Sequence, residues 1–171
     1  MEVQIKCLSR PSEDIIKKYV DIVNKAFLNR KNIKNINPYT VLDFKDISNE
    51  ITDKDILAVV YNEKNTIIGG AIIKRLDHLN GASVHHVCIE PQYQGNGYAK
   101  QLMQEIKRWI KDANMDVIEL TVGSIWKETI GLYKSVGFKI SKVEAHLPGT
   151  YFLVHMKLYI KHINAIGLKF M

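Results

Sequence analysis

A glycine-rich turn between a strand pattern and a helix pattern constrains the fold of this chain more than any other feature. A strand pattern over residues 82–90 is stopped by Pro91, which cannot donate to a β-ladder. The turn Gln94-Gly95-Asn96-Gly97 follows, and from Gly97 the apolar residues recur at helical spacing. Such a turn directs backbone N–H groups and the positive end of a helix towards one point, which predicts a phosphate-binding site.

Two familiar phosphate-binding motifs do not fit this turn. The Walker loop requires the pattern G-x-x-x-x-G-K-[ST], and the dinucleotide fingerprint requires a third glycine where Lys100 stands. The glycines alone are also compatible with a tight turn that binds nothing, so both interpretations stay open at this point.

Alternating and helical patterns predict the remaining elements. Strands are expected at residues 3–8, 56–61, 66–76, 82–90, 117–122, 138–143 and 151–160. Helices are expected from residue 12 to about 28, within 40–51, from 97 to about 114, and over 127–136 before Gly137. This order mixes hairpins with strand–helix–strand crossovers. We therefore expect an α/β (mixed α+β) fold, with one domain over residues 1–171 and a mixed, mostly antiparallel sheet of about seven strands flanked by helices.

Composition excludes several classes of protein. The chain has 171 residues, 46% hydrophobic and 25% charged, which is typical of a globular domain and not of a disordered or coiled-coil chain. No apolar run approaches the roughly 20 residues of a membrane-spanning helix, and residues 1–10 lack a signal-peptide pattern. Cys7 and Cys88 form no C-x-x-C pair, so we expect a reducing cytoplasm and no metal site.

The net charge of +6 favours an anionic partner. Charge alone does not separate nucleic acid, a membrane surface and a phosphorylated cofactor. Because the sequence lacks a recognition helix, nucleic-acid-binding aromatic motifs and a dense Lys/Arg stripe, we expect a cofactor with several phosphates, and no nucleic acid or membrane partner.

Two motifs together resemble those of one family. Gln94-x-x-Gly97-x-Ala99 resembles the pyrophosphate motif Q/R-x-x-G-x-G/A of the GNAT superfamily of N-acyltransferases. The segment GLYKSVGF at residues 131–138 resembles that family's later LYxxxGF signature, and one predicted strand lies between the two motifs. The resemblance covers residues 3–160. It implies a GNAT fold and the transfer of an acetyl group from acetyl-CoA to a primary amine by direct attack in a ternary complex.

The resemblance also implies which residues hold acetyl-CoA. In this family, backbone amides that follow the Gln or Arg hold the pyrophosphate, and the strand before the turn pairs with the pantetheine arm. The implied cofactor-binding residues are Val87, Cys88, Ile89, Gln94, Gly95, Asn96, Gly97, Tyr98, Ala99 and Lys100.

A general base is expected, because an amine with a pKa near 10.4 is almost entirely protonated at pH 7. His85 is the first candidate, since some family members place a glutamate base on this strand and an imidazole titrates near neutrality. Alternatively, His85 is a strand histidine held by a neighbour. His86 points to the opposite face unless a bulge resets the alternation. Glu90 and Glu119 are less favoured substitutes.

The family commonly supplies a tyrosine that protonates the leaving thiolate, and the matching residue is Tyr133. The alternative is a tyrosine that only packs under the sheet.

Two positions depart from the family pattern. Thr121 stands where many members have an acidic residue, and Trp126 stands where many have an asparagine. Trp126 therefore contacts the pantetheine arm, the acceptor pocket or only the core. The single histidines without a motif, His78, His146, His155 and His162, are expected to be surface or packing residues.

The acceptor is a small-molecule or peptide amine that the sequence does not identify. Its pocket is expected in the loops at residues 29–51, 77–82 and 146–151. Apolar residues in the tail 161–171 are compatible with a homodimer. The alternative function is a non-catalytic acyl-CoA-binding domain that acts through a protein partner.

Overall fold

The computed structural model describes residues 2–28, 44–52, 54–145 and 151–161. The strands are β1 Gln4–Ser9, β2 Ile56–Tyr61, β3 Ile67–Leu76, β4 Gly81–Ile89, β5 Val117–Gly123, β6 Lys139–Ala145 and β7 Phe152–Tyr159. The helices are α1 Glu13–Leu28, α2 Phe44–Glu50, α3 Tyr98–Asp112 and α4 Lys127–Val136. A short 3-10 helix, Pro91–Tyr93, follows β4. Every predicted strand and helix is present. Their bounds move by one or two residues at most, apart from α2, because part of its predicted range lies outside the described residues.

The seven strands form one sheet in the order β1-β2-β3-β4-β5-β7-β6. Neighbouring strands are antiparallel except β4 and β5, which are parallel and are connected through α3. This arrangement confirms the predicted mixed, mostly antiparallel sheet.

The two helix pairs cover opposite faces of the sheet. In β2, Leu57 and Val59 pack against α1 and α2, whereas Ala58 and Val60 belong to the core beneath α3 and α4. The same alternation continues through β3, which explains why both strands are apolar on nearly every residue. The sheet is therefore a buried central layer between α1–α2 and α3–α4.

Helix positions follow from the sequence patterns. The buried residues of α3 are Tyr98, Leu102, Met103, Ile106 and Ile110, which recur on one face of the helix. Helix α4 ends at Gly137, whose φ of 110° is the left-handed conformation that a glycine adopts at low cost. Among the described residues, no helix is long and apolar enough to cross a lipid bilayer.

The two parallel strands, β4 and β5, pair along only part of their length. Pairing between β4 and β5 covers only Gly81–Ser83 against Val117–Glu119. Beyond Ser83, β4 has no β5 partner in the described pairing, so the strands diverge and open a cleft towards the carboxyl end of β4. The turn that follows β4 lies at this open end.

Candidate active site

The glycine turn leads from β4 into α3 with an open backbone. Gly95 and Gly97 have φ values of 80° and 78°, and apart from the glycine itself and its chain neighbours no heavy atom lies within 4 Å of the position that a Cβ would take on either residue. The Gln94 side chain donates from Nε2 to the Ile89 carbonyl at 2.8 Å, which ties the turn to the end of β4. Asn96 Nδ2 donates to the carbonyls of Tyr93 and Gln94, both at 3.1 Å.

The start of α3 has the electrostatics of an anion site. Gln101 N–H donates to the Gly97 carbonyl at 3.1 Å and is the first i to i−4 bond of the helix. The N–H groups of Ala99 and Lys100 precede it, and the first turn contains no acidic side chain. Backbone N–H groups at a helix start attract an anion, and here no carboxylate of that turn competes for them.

A cavity of about 380 Å³ adjoins this turn. Nine of the ten predicted cofactor-binding residues line it: Val87, Cys88, Ile89, Gln94, Gly95, Gly97, Tyr98, Ala99 and Lys100. Asn96 does not line the cavity, because its side chain turns back to the carbonyls of the turn. The opposite wall comes from α4 and includes Thr129, Leu132 and Tyr133.

A second, larger cavity of about 560 Å³ occupies the cleft between β4 and β5. Residues from both sheet faces line it, because the separated strands leave a gap through the sheet. Val87, Thr129 and Tyr133 line both cavities. These three residues therefore mark the junction between the space beside the glycine turn and the space within the cleft.

Tyr133 is buried at this junction. Its side chain projects from α4, and its ring centroid lies 5.8 Å from that of Phe138, in a tilted arrangement. The structure places the predicted tyrosine next to both cavities. Its ring packs against Phe138 and also borders both cavities, so this position suits either a proton donor or a packing residue.

A β-bulge in β4 resets the strand alternation at His86. Its φ is 49°, and the register with β3 shifts between Gly70 and Ile72. The hydroxyl of the fully buried Tyr19 donates to the His86 carbonyl at 2.7 Å and holds the bulge against α1.

The bulge places His85 and His86 on the same sheet face. His86 Nε2 lies 3.4 Å from Glu50 Oε2, and Lys74 Nζ lies 3.2 Å from the same oxygen. Lys74 is paired with Ser83, which shares its face with His85. Both imidazoles therefore face the α1–α2 side, and the expectation that His86 points to the opposite face is replaced by the bulged alternative.

His85 lines the larger cavity and contacts a neighbour in its own strand. Its Nε2 lies 2.8 Å from Ser83 Oγ. Burial lowers the pKa of His85 below its usual 6.5, and the positive charges of Lys74 and His86 lower it further. His85 is therefore neutral at pH 7, and burial together with these positive neighbours disfavours its protonated form.

Side chains of Glu119, Thr121, Lys142, His155 and Lys157, from β5, β6 and β7, form one wall of the larger cavity. Together with Glu144, which contacts His155 and Lys142 but does not line the cavity, they are named the polar cluster. Lys157 Nζ lies 2.6 Å from Glu119 Oε1. Thr121 Oγ1 lies 3.0 Å from His155 Nδ1, and His155 Nε2 lies 3.0 Å from Glu144 Oε1. Lys142 forms an ion pair with Glu144.

No motif in the sequence marks the position of His155. The structure places this half-buried residue in the wall of the larger cavity. Its partners lie on β5 and β6, so no local motif marks it. The available signal was the strand alternation, which puts His155 on the face opposite the buried Val154 and Met156.

Other predicted residues are distributed as follows. Trp126 lines the larger cavity and also packs against the core. Glu90 lines neither cavity and pairs with Lys25 of α1 at 3.2 Å. The turn at residues 77–82 lies at the opposite end of β4, where Asn80 Nδ2 donates to Asp116 Oδ2 at 2.9 Å, and it lines neither of the two cavities. Residues 29–43 and 146–150 of the other predicted acceptor loops lie outside the described residues.

Comparisons with solved structures find the same fold in N-acetyltransferases. The ribosomal-protein-S18-alanine N-acetyltransferase of Escherichia coli is 16% identical, with 94% of this chain and 98% of that chain covered and a TM-score of 0.72. For the spermidine N-acetyltransferase of Vibrio cholerae, in complex with CoA and spermine, the identity is 18%, the coverage 92% and 95%, and the TM-score 0.69. The yncA protein of Salmonella typhimurium, with its cofactor acetyl-CoA, is 16% identical, with coverage of 95% and 96% and a TM-score of 0.74.

At these identities the likeness concerns the fold. A comparison with curated proteins finds no match. The model of the acetyltransferase (GNAT) family matches residues 20–138, which include β4, the glycine turn and α4. This match covers more than half of the sequence and both motifs that resembled the family. The chain therefore belongs to the GNAT acetyltransferase family.

Proposed function

We propose that this protein transfers an acetyl group from acetyl-CoA to a primary amine by direct attack in a ternary complex. The observation that carries the proposal is the junction at Tyr133, where a cavity beside an anion-binding turn meets a second cavity with a polar wall. Donor and acceptor can reach that junction from opposite sides, as direct transfer requires. Family membership supports the same reaction class.

The glycine turn is the proposed site for the pyrophosphate of acetyl-CoA. Gly95 and Gly97 leave space for close approach, and the N–H groups at the start of α3 attract negative charge. Residues 87–89 lie in the part of β4 that does not pair with β5. Their free edge is proposed to pair with the pantetheine arm. Two structural neighbours were solved with CoA or acetyl-CoA, which supports the assignment.

Tyr133 is proposed to protonate the thiolate that leaves when the amine attacks. A thiol with a pKa near 8.5 is a better leaving group when a proton donor lies beside it. The oxygen of the tetrahedral intermediate is proposed to accept a hydrogen bond from a backbone N–H near Cys88 or Ile89.

His85 is the base that the sequence analysis favours, and it lines the cavity proposed for the acceptor. As a neutral imidazole it can accept a proton, although burial and its positive neighbours disfavour the protonated form.

The acceptor class is proposed to be a small-molecule or peptide primary amine. The structural neighbours include an enzyme for spermidine and one for an alanine of a ribosomal protein. Since neither cysteine forms a disulfide, we propose a reducing compartment such as the cytoplasm.

The proposal is tested with Tyr133→Phe, which removes one hydroxyl and keeps the ring. We expect kcat for acetyl transfer to fall at least about tenfold, while acetyl-CoA affinity measured by calorimetry stays the same. Tyr159→Phe is the matched control, because Tyr159 is 71% exposed and lines neither cavity. Full activity of Tyr133→Phe would exclude the proton-donor role. If the wild-type protein acetylates none of a panel of primary amines, the proposed function is wrong.

A further inference from the structure

Three residues of the polar cluster form a chain across adjacent strands. Thr121 lies on β5, His155 is its register partner on β7, and Glu144 lies on β6 beyond them. Thr121 Oγ1 is 3.0 Å from His155 Nδ1, and His155 Nε2 is 3.0 Å from Glu144 Oε1. A hydroxyl, an imidazole and a carboxylate are thus ordered from the cleft towards the edge of the sheet.

The chain meets the larger cavity through its hydroxyl end. Thr121 and His155 both line that cavity, whereas Glu144 does not. His155 Nε2 is buried 3.0 Å from Glu144 Oε1, close enough for an ion pair with a protonated imidazole although the two atoms are not aligned as a hydrogen bond, and Nδ1 lies 3.0 Å from Thr121 Oγ1. An acceptor in the cavity therefore reaches the imidazole through the exposed Thr121 hydroxyl. Tyr133 lines the same cavity from α4.

The Glu144 carboxylate makes the His155 imidazole a better acceptor of a proton. Contacts with Lys142 and His155 hold the pKa of Glu144 below its usual value, so Glu144 is ionised at neutral pH. A carboxylate beside one imidazole nitrogen favours the tautomer with hydrogen on that nitrogen, and it stabilises the imidazolium formed when the other nitrogen is protonated. Here the nitrogen left to accept a proton is Nδ1, which faces Thr121.

The electrostatic environment of His85 is less favourable for gaining a proton than that of His155. Burial and the charges of Lys74 and His86 lower the pKa of His85, and the carboxylates of Glu50 and Asp55 offset this lowering only in part. Three imidazoles line the same cavity: His85 beside Lys74 and His86, His86 with Nε2 3.4 Å from a Glu50 oxygen that Lys74 also contacts, and His155 with Nε2 3.0 Å from Glu144 Oε1. The other ring nitrogen of His155 is directed at the Thr121 hydroxyl in the cavity, so its environment fits an acceptor of protons better than that of His85.

We propose that the Thr121–His155–Glu144 chain removes the proton from the acceptor ammonium. The ammonium gives one proton to Thr121 Oγ1, and the Thr121 hydroxyl proton passes to His155 Nδ1. The products of this step are a neutral amine and an imidazolium held by Glu144. Thr121 would contact the substrate, whereas Glu144 is a positioning residue. This inference rests on the proposed acetyl transfer.

Other charged groups lie at the same wall of the larger cavity and influence the pH dependence of the proposed proton transfer. On β5 and β7, the Glu119 carboxylate and the Lys157 ammonium neutralise each other. Lys142 on β6 compensates the charge of Glu144, and His85 lies across the cleft on β4. Because both carboxylates have a lysine partner, variants that retain these two pairs keep the charge of the wall nearly constant.

The test compares two amine probes with acetyl-CoA as donor. Spermidine carries protonated amines at pH 7, whereas hydroxylamine is neutral and does not need a base. We expect His155→Gln to lower kcat/KM for spermidine about 100-fold, and to lower it for hydroxylamine less than tenfold after subtraction of the uncatalysed rate. Thr121→Val, a change of similar volume, should give the same selective loss. His85→Gln is the matched imidazole control and should affect both probes alike.

A pH profile separates positioning from a merely structural role. In Glu144→Gln the imidazolium loses its carboxylate, so the acidic limb of kcat/KM for spermidine should move to lower pH. Equal losses for both probes in His155→Gln and Thr121→Val, or a selective loss in His85→Gln alone, would overturn the chain while leaving acetyl transfer intact. Failure of the wild-type protein to acetylate either probe or any other amine of the panel would overturn both the chain and the proposed function.

Discussion

The glycine turn and the polar cluster are built in opposite ways. The turn presents backbone N–H groups from consecutive residues, and its only strict demands on side chains are the glycines at positive φ. The polar cluster presents side chains from three strands that are adjacent in space but not in sequence. The comparison teaches that the proposed donor site depends on local conformation, whereas the proposed acceptor site depends on the register of the sheet.

Register irregularities contribute to both sites. The bulge at His86 sets the direction of β4 as it leads into the turn. A second register shift, between Ile140 and Lys142, brings Lys142 opposite His155. Bulges near sheet edges commonly redirect side chains at functional sites. In this protein one bulge serves the β4 side of the cleft and the other serves the polar cluster.

The largest effect is expected from a charge placed in the turn. Gly97→Glu should weaken acetyl-CoA binding about 10- to 100-fold, since hydrogen bonds to charged groups contribute about 1.5–3 kcal/mol each. Gly97→Gln adds a side chain of similar size and the same conformational strain at a φ of 78°, but it adds no charge. We expect it to bind more tightly than Gly97→Glu, and calorimetric titration measures both.

The Gly97 variants sharpen the comparison, because they should leave the polar cluster unaffected. Gly131→Glu adds the same charge on α4, at an exposed position that lines neither cavity, and should bind normally. Equal affinity in Gly97→Glu and the wild-type protein, with both folded, would remove the pyrophosphate assignment.

A smaller effect is expected at the bulge between the two sites. Tyr19→Phe removes the 2.7 Å hydrogen bond to the His86 carbonyl. Since water can reach the partly buried His86, we expect the free energy of unfolding to fall by about 0.5–1.5 kcal/mol. Urea denaturation measures the change, and Tyr159→Phe is the exposed control. An unchanged stability would show that this bond does not hold the bulge.

The smallest effect concerns pH. The pKa of His85 is below 6.5 in the folded protein because of burial, Lys74 and His86, so the unfolded chain binds more protons as the pH falls through this value. The contribution of His85 to stability is therefore present above pH 6.5 and lost below it. Denaturation at pH 7.5 and 5.5 should show a smaller difference for His85→Gln than for the wild-type protein. An equal difference would contradict the lowered pKa.

The fold and the glycine turn could be predicted because their signals are contiguous. Alternation marks β2 and β3, helical spacing marks α3, and Gly137 marks the end of α4. The pattern from Gln94 to Ala99 contains the backbone requirements of an anion site within one short segment. Local conformation alone determines such a site, so a single sequence is enough to find it.

The polar cluster could not be predicted, because tertiary pairing creates it. Thr121, Glu144 and His155 are ordinary strand residues until β7 lies between β5 and β6. Likewise, the alternation of β4 left the direction of His86 open, and the bulge that sets it is seen only in the folded sheet, where Tyr19 donates to the His86 carbonyl. Contacts between distant strands depend on the whole sheet, which local patterns do not encode.

The most direct test of the central claim is an NMR titration of the ¹⁵N-labelled protein with acetyl-CoA. We predict that the largest amide shifts occur at residues 95–100 and 87–89, and that a nonspecific DNA duplex does not reproduce them. Saturable changes centred on these amides would establish that the turn binds the acetyl donor. No change, or changes centred on another face of the protein, would contradict the account.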